Sequence, residues 1–235
     1  MAKKGGSRHY KRIRLPRLLP ISARKSPKWM LSPTAGPHPK KRSIALGSLL
    51  RDVLKIGDDL RECKRVLSSG NVLVDGKIVR NIRRPIGIMD IVSLPKEGRA
   101  WRLQIVKGRL LPSELASGSA AAKFKLCKVV KKTTVPGGKI SITTHDGRTM
   151  LADNNVKVGS TLKLSIPSMK ISGQIPLAPG ARCLITEGKH SGELAILESI
   201  IERTGSMDPE ARMRAGSEAF VTLTKYVFAV DDEFQ

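Results

Sequence analysis

RECKRVLSSGNVLVDGKIV, residues 61–79, is the stretch that decides the fold of the first half of the chain. Apolar side chains recur at helical spacing over residues 60–67, and Gly70 follows as a helix stop. Two β-prone runs then flank Asp75-Gly76, the dipeptide that favours a two-residue hairpin turn. The stretch therefore predicts a helix followed by a β-hairpin.

The residues just before this stretch predict a second helix. Leucines and a valine over residues 46–54 fall on one helical face, and Gly57 is expected to end that helix in the left-handed conformation. Asp59 and Glu62 have the spacing of a capping box at the start of the next helix. With a strand predicted at Asp90–Leu94, residues 43–98 form a small α+β domain.

Residues 1–42 differ sharply in composition from the rest. They contain thirteen basic residues, no acidic residue and six prolines, and the remaining chain keeps a charge of +10. Prolines at this density prevent long helices and central strands. The segment is predicted to be an arm with little fold of its own, either a solubilising tail or an arm that becomes ordered on a polyanion. Tyr10 and Trp29 favour the second interpretation.

Beyond residue 99 short β-prone runs alternate with glycine-containing turns. This pattern is typical of small barrels or sandwiches. Residues 114–122 are compatible with a short helix or a loop. The predicted strands are Trp101–Val106, Lys125–Lys131, Lys139–Thr144, Thr149–Ala152, Thr161–Ser165, Arg182–Thr186, Leu194–Ile201 and Phe220–Val230.

The overall charge points to a polyanionic partner. The chain has 43 Lys and Arg against 20 Asp and Glu, a formal net charge of +23, and nucleic acid is the first candidate. No apolar run is long enough to span a bilayer, and the basic, proline-broken N-terminus does not fit a signal peptide, which predicts a cytoplasmic protein without a membrane partner. Three scattered cysteines and four scattered histidines predict no metal site and no disulfide framework. With 3% aromatic residues, base stacking is disfavoured relative to phosphate and shape recognition.

Two motifs resemble known RNA-binding units. Residues 61–79 resemble the αL RNA-binding domain of the bacterial small-subunit ribosomal protein number four. Residues 179–197, which include Gly188-Lys189-His190 and Gly192, resemble a KOW motif, a strand–loop–strand unit of ribosomal and transcription proteins. Ala195 replaces one glycine of the usual KOW pattern, and Lys189 and His190 are expected at the tip of the loop.

Taken in order along the chain, these segments resemble one family, the archaeal and eukaryotic small-subunit ribosomal protein number four of the "four-e" type. Gly36-Pro-His-Pro39, Lys132–Ile140, His145–Arg148 and Tyr226-Val-Phe228 also look like it. The resemblance implies an archaeal ribosomal protein of the small subunit that binds its rRNA beside neighbouring ribosomal proteins, with no cofactor and no small-molecule substrate. The expected domains are an arm (1–42), an αL domain (43–98), a small central β domain (99–172) and a KOW-containing SH3-like barrel (173–235).

The candidate RNA-binding residues are the basic side chains of the arm, of the predicted helix and hairpin, and of the KOW-like loop. They are Lys3, Lys4, Arg8, Lys11, Arg12, Arg14, Arg17, Lys40, Lys41, Arg42, Arg51, Arg61, Lys64, Arg65, Lys77, Arg80, Arg83, Arg84, Lys189 and His190.

Enzyme classes fit poorly. Pseudouridine synthases that carry an αL domain need a Gly-Arg-Leu-Asp aspartate, and here Leu111 follows Gly108-Arg109-Leu110. No nucleotide-binding fold of a tyrosyl-tRNA synthetase and no P-loop is present. His145-Asp146 precedes Gly147 and is predicted to be a hairpin turn. We therefore expect no enzyme, and the remaining alternative is a transient KOW-containing transcription or assembly factor that leaves the mature particle.

Overall fold

The computed structural model of the chain describes residues 7–21, 28–116, 120–205, 207–216, 218–231 and 234. The chain divides into two compact units. Unit 1 is formed by residues 1–104 and 109–117, and unit 2 by residues 105–108 and 118–235. Both units consist mainly of antiparallel strands, so the predicted mostly-β, multi-domain fold class is confirmed at that level. The bounds of the four predicted domains stay predictions.

Unit 1 combines two short two-stranded sheets, β1–β2 and β3–β6, with a five-stranded sheet in the order β5-β4-β7-β8-β9. The last two residues of β8 belong to unit 2. Its elements are β1 (His9–Lys11), a 3-10 turn (Arg12–Arg14), β2 (Trp29–Leu31), a 3-10 turn (Lys40–Arg42), β3 (Ile44–Ala45), α1 (Leu46–Ser48), a π-helical turn (Leu49–Val53), α2 (Leu60–Ser68), β4 (Leu73–Val74), β5 (Lys77–Ile78), β6 (Pro85–Ile86), β7 (Ile91–Leu94), β8 (Arg99–Val106) and β9 (Arg109–Leu115).

The helix and hairpin predicted from residues 61–79 are confirmed. Asp59 and Glu62 form the capping box of α2, and the Glu62 carboxylate accepts hydrogen bonds from the backbone N–H groups of Asp58 and Asp59 at 3.0 and 3.5 Å. Asp75 and Gly76 take positive φ angles of 51° and 74°, as a type I′ hairpin turn requires. Local sequence signals therefore determine this part of the fold.

The preceding helix ends differently from the prediction. Lys55, not Gly57, takes the left-handed conformation, with φ 53°. The turn before it is π-helical, because Leu54 N–H bonds the Leu49 carbonyl at 2.9 Å. Gly57 lies in a tight space instead, because a Cβ there would lie 3.2 Å from Cys63 Sγ and 3.3 Å from Glu62 Cβ.

The expectation that residues 1–42 have little fold of their own is wrong for their described part. Leu19 and Met30 are 5% and 2% exposed, and β1 pairs with β2. The buried His38 ring lies 2.9 Å from an Asp90 carboxylate oxygen. The Leu18 carbonyl accepts a hydrogen bond from Leu110 N–H at 2.7 Å. The arm is therefore part of the unit 1 core, although it has almost no regular structure.

Unit 2 contains two five-stranded antiparallel sheets, in the orders β12-β11-β10-β13-β14 and β18-β17-β16-β15-β19. Its elements are a 3-10 turn (Ala120–Lys123), β10 (Phe124–Thr134), β11 (Ile140–Thr144), β12 (Thr149–Ala152), β13 (Thr161–Ser165), β14 (Ile171–Ile175), β15 (Arg182–Ile185), β16 (Leu194–Ile201), β17 (Glu210–Ala215), β18 (Glu218–Leu223), a 3-10 turn (Thr224–Tyr226) and β19 (Val227–Ala229).

Most predicted strands of this half are confirmed, and one is wrong. The run Phe220–Val230 is not one strand, because the turn Thr224–Tyr226 separates β18 from β19 on opposite edges of the sheet. Lys128 stabilises this break, since its Nζ donates hydrogen bonds to the carbonyls of Thr224, Lys225 and Val227 at 3.1, 3.0 and 2.6 Å. Strands β14 and β17 of unit 2 were not predicted, and neither was β9 of unit 1.

A buried ion pair supports the first sheet of unit 2. Lys125 Nζ lies 3.1 Å from Asp146 Oδ2, and their side chains are 1% and 0% exposed. Arg148 Nε approaches the same oxygen at 2.8 Å, and the Thr144 hydroxyl donates to the other carboxylate oxygen. Asp146 lies in the β11–β12 turn, where Gly147 has φ 73°. The predicted hairpin turn at His145–Gly147 is therefore confirmed.

Candidate nucleic-acid interface

Helix α2 presents a basic stripe to solvent. Arg61, Lys64 and Arg65 are exposed at i, i+3 and i+4 spacing, while Cys63 and Leu67 on the opposite side are 1% and 0% exposed. Within the part of the chain that the structure describes, none of the three cations has an ion-pair partner. Their charges are therefore available to a polyanion.

The β4–β5 hairpin adds two further exposed cations, Lys77 and Arg80. Strand β7 holds the hairpin turn, because the buried Asp75 carboxylate accepts a hydrogen bond from Ile91 N–H at 3.1 Å. Ile78 beside Lys77 is 57% exposed. A rigid turn thus holds a basic and partly apolar tip in solvent.

Four of the candidate arginines are turned into unit 1 instead. Arg12 is 4% exposed and its Nη2 lies 2.8 Å from Asp52 Oδ1. Arg51 Nη2 lies 2.9 Å from the other Asp52 oxygen. Arg83 Nε donates to the Ser32 carbonyl at 3.0 Å, and Arg84 is half-buried. Arg12 and Arg83 thus join the arm to the rest of unit 1, while Arg51 supports the Asp52 carboxylate that Arg12 contacts. Sequence alone gave no sign of these roles.

The other described cations of the arm are exposed. Lys40 Nζ lies 4.8 Å from the centre of the Tyr10 ring, so this lysine also makes a cation–π contact. Lys3 and Lys4 lie outside the described residues. The exposed candidates are Arg8, Lys11, Arg14, Arg17, Lys40, Lys41 and Arg42, and Lys28, which was not a candidate, is exposed as well.

In unit 2, the turn at residues 188–192 carries the two KOW-like candidates in different ways. Lys189 is exposed. The His190 side chain packs against its own unit and does not project from the turn. Its ring stacks on Phe220 at a centroid distance of 4.0 Å, and its Nδ1 lies 2.9 Å from Glu193 Oε2. Ala195, which replaces a glycine of the usual pattern, is a buried residue of strand β16 and pairs with Cys183. The strand therefore accommodates alanine at this position.

A second turn, Lys107-Gly108, lies against this one and was missed in the sequence. Gly108 N–H donates to the Ser191 carbonyl at 2.8 Å, and a Cβ on Gly192 would lie 2.6 Å from the Lys107 backbone nitrogen. Lys107 is exposed and has φ 49°. Both turns line an open depression of about 510 Å³. The sequence signal for this turn is Lys107-Gly108 between two β-prone runs. Such a pattern is too common in proteins to indicate a functional site.

No catalytic arrangement is present in the described residues. His145 Nδ1 accepts a hydrogen bond from Lys128 N–H at 3.2 Å, and its ring packs edge-on against Phe228. The pKa of Cys63 and Cys183 is raised by burial, to about 12 for Cys183, so neither thiol is activated. Among the described residues no cluster of three His, Cys, Asp or Glu side chains can hold a metal ion, and no helix is long and apolar enough to cross a membrane.

Comparison with known proteins gives a consistent result. The model of ribosomal family S4e matches residues 103–171. The small ribosomal subunit protein eS4 of Methanothermobacter thermautotrophicus is 39% identical over 232 residues, which cover 98% of this chain and 95% of that protein. The protein of the same name from Methanocaldococcus jannaschii is 38% identical over 245 residues, covering 99% and 98%.

A solved structure agrees with these sequence matches. The crystal structure of the 30S ribosomal protein S4e from Thermoplasma acidophilum has a TM-score of 0.69 and 35% identity to this chain, and covers 82% of this chain and 96% of its own. The family predicted from the order of motifs is thereby confirmed. Since these identities extend over nearly the whole length, the chain belongs to the ribosomal protein family S4e.

Proposed function

We propose that this chain is a structural constituent of the small ribosomal subunit in the cytoplasm, where it binds small-subunit rRNA and has no enzymatic activity. The observation that supports this function best is the basic surface of unit 1. There α2 and the hairpin expose Arg61, Lys64, Arg65, Lys77 and Arg80 on two elements fixed by a capping box and a type I′ turn. The relatives named above are small-subunit proteins, which supports the same assignment.

Residues 43–98 would act as an αL-type RNA-binding domain and residues 179–197 as a KOW-type unit. The exposed arm cations extend the basic surface of unit 1. Arg12 leaves the proposed contact set because it is buried against Asp52. Arg51, which pairs with the same carboxylate, and the half-buried Arg84 leave it too, and Arg83 joins the arm to unit 1 through the Ser32 carbonyl. His190 positions the 188–192 turn, while Lys189 and Lys107 offer the charges there.

Affinity would come mainly from lysine and arginine neutralising phosphates, with release of bound counterions. The affinity of such a complex falls steeply as salt is added. A protein that makes 6–10 phosphate contacts loses roughly 10³- to 10⁵-fold in affinity between 50 and 200 mM salt. Specificity would come largely from RNA shape, because the narrow major groove of A-form helices excludes side chains.

The end of the chain would contact a neighbouring protein. From residue 206 onward it carries six acidic residues against three basic ones. Asp208 pairs with Lys225 at 2.6 Å, and Glu210 pairs with Arg203, so part of this acidity is already compensated. A segment of this charge is repelled by RNA, and we propose a basic ribosomal protein as its neighbour.

The test is a matched pair of triple variants. Arg61→Gln, Lys64→Gln and Arg65→Gln together should reduce the slope of log affinity against log salt by about 2 to 3, because three phosphate contacts are lost. The control carries Lys139→Gln, Lys157→Gln and Lys170→Gln, which remove three exposed charges from unit 2. Binding to transcribed small-subunit rRNA would be measured at several salt concentrations.

The proposal predicts a clear loss for the α2 variant and little change for the control. Equal losses in both variants would mean that only net charge matters, and the proposed surface would be wrong. Melting curves of both proteins distinguish lost contacts from lost folding.

A further inference from the structure

Trp29 is an exposed ring on a fixed backbone. It lies in β2 directly opposite Lys11 of β1, and half of its surface (50%) is accessible. The next residue, Met30, points inward and is 2% exposed. Since neighbouring strand residues face opposite sides, burial of Met30 keeps the Trp29 side chain on the outer face.

Two lysines flank this ring. Lys11 Nζ lies 6.0 Å and Lys28 Nζ 5.7 Å from its centre, and the His9 ring meets it edge-on at 6.3 Å. Residues 1–42 contain no acidic side chain. Both ammonium groups lie over the ring in cation–π contact, which orients it. Within the described part of the chain neither of them has an ion-pair partner, so a base that stacks on the ring can displace them toward its phosphates. A large apolar surface between two cations is complementary to a nucleotide, which has a flat base and a charged phosphate.

We propose that Trp29 is a stacking platform for one unpaired rRNA base, with Lys11 and Lys28 bound to the adjacent phosphates. This inference rests on the proposed function. An unpaired base is required because a base inside a duplex already has both faces stacked. The platform departs from the expectation that a low aromatic content disfavours stacking, since one well-placed ring is enough. A protein partner is the other occupant, but the absence of acidic residues from the arm, residues 1–42, favours RNA.

The chain offers a direct spectroscopic test, because it has only two tryptophans. Trp101 is 4% exposed, and Trp101→Phe leaves Trp29 as the sole tryptophan. Titration of this full-length variant with small-subunit rRNA should quench Trp29 fluorescence and protect it from iodide. A fully paired RNA duplex should leave iodide access nearly unchanged. The reciprocal variant, Trp29→Phe, reports only the buried Trp101 and should show no change with either RNA.

Binding assays keep the test independent of Trp101. Trp29→Leu, which keeps an apolar side chain without a π face, should weaken rRNA binding by about 5- to 150-fold, the usual effect of losing one base–aromatic stack. Its salt slope should stay that of the wild type, because no ion contact is lost. Trp29→Phe should retain most of the affinity. Ile13→Ala, which alters another exposed apolar residue of the arm (71% exposed), is the control and should bind normally.

The outcomes separate this inference from the proposed function. If the wild type binds rRNA and Trp29→Leu binds equally well with Trp29 unquenched, the stacking site is wrong and the RNA-binding function stands. If Trp29 fluorescence does not change with rRNA but changes when other ribosomal proteins are added, Trp29 contacts a protein. That result would also overturn the inference. If the wild-type chain fails to bind rRNA, both proposals fall.

Discussion

Replacing Asp146 by Asn should destabilise unit 2 by about 3 to 5 kcal/mol, the range found when one partner of a buried ion pair is removed. The full figure applies because Lys125 and Asp146 are 1% and 0% exposed. In the variant the Lys125 ammonium faces a neutral amide instead of a carboxylate. Lys125→Met should cost less, because Arg148 Nε still lies 2.8 Å from the Asp146 carboxylate.

The same pair sets a pH dependence at low pH. Burial alone would raise the pKa of Asp146, but Lys125, the Thr144 hydroxyl, His145 and Arg148 together outweigh it and hold this pKa well below its usual range. A depressed pKa in the folded state stabilises the fold at pH values above the unfolded pKa, about 3.9. This stabilisation is lost as the pH falls below that value, and Asp146→Asn should remove this part of the acid sensitivity.

Urea unfolding at neutral pH, followed by circular dichroism, measures these differences for the single and double variants. The double variant, Lys125→Met with Asp146→Asn, should be more stable than Asp146→Asn alone, because it removes the buried Lys125 charge together with its partner. Asp208→Asn, which removes an exposed partner of Lys225, is the control and should leave the midpoint unchanged. An Asp146→Asn protein as stable as the wild type would refute the reasoning.

Two further predictions concern the paired turns of unit 2. Gly192→Ala should destabilise the 188–192 turn, because φ is +90° and the new Cβ would lie 2.6 Å from Lys107 N. The control is Gly138→Ala, where a new Cβ would have nothing within 4 Å. Equal melting temperatures of the two variants would contradict this prediction. Lys107→Gln and Lys189→Gln should each reduce the salt slope of rRNA binding by about 1, whereas Lys139→Gln should not; unchanged slopes would exclude both turns from the interface.

Local signals explain what could be predicted from the sequence. Helix α2 and the β4–β5 hairpin depend on residues close in the chain, namely the Asp59–Glu62 box and the Asp75-Gly76 turn. The exposed basic stripe of α2 follows from the helical period alone. Such elements form wherever their neighbours permit, so sequence patterns identify them well.

The role of the arm could not be predicted, because it depends on distant partners. Arg12 contacts Asp52, forty residues away, and Met30 is buried by tertiary packing that its proline-rich context does not reveal. A count of charges treats Arg12 and Arg14 alike, although one is buried and the other exposed. Composition thus predicts a nucleic-acid-binding arm but cannot tell which of its cations face outward.

Two physical causes explain why β9, β14 and β17 were not predicted. Strand β9 contains Pro112 and β14 contains Gly173, residues that weaken a strand signal but are tolerated at sheet edges, where both strands lie. Strand β17 reads Glu-Ala-Arg-Met-Arg-Ala, which is rich in helix formers. Its pairing with β16 and β18 overrides that preference.

The most direct test of the proposed function is to follow the tagged, full-length protein through a sucrose gradient of cell lysate, with a high-salt wash of each fraction. A structural constituent should remain with mature small subunits and with translating ribosomes after the wash. Presence only on precursor particles, or ready release by salt, would contradict the account and identify a transient assembly factor instead.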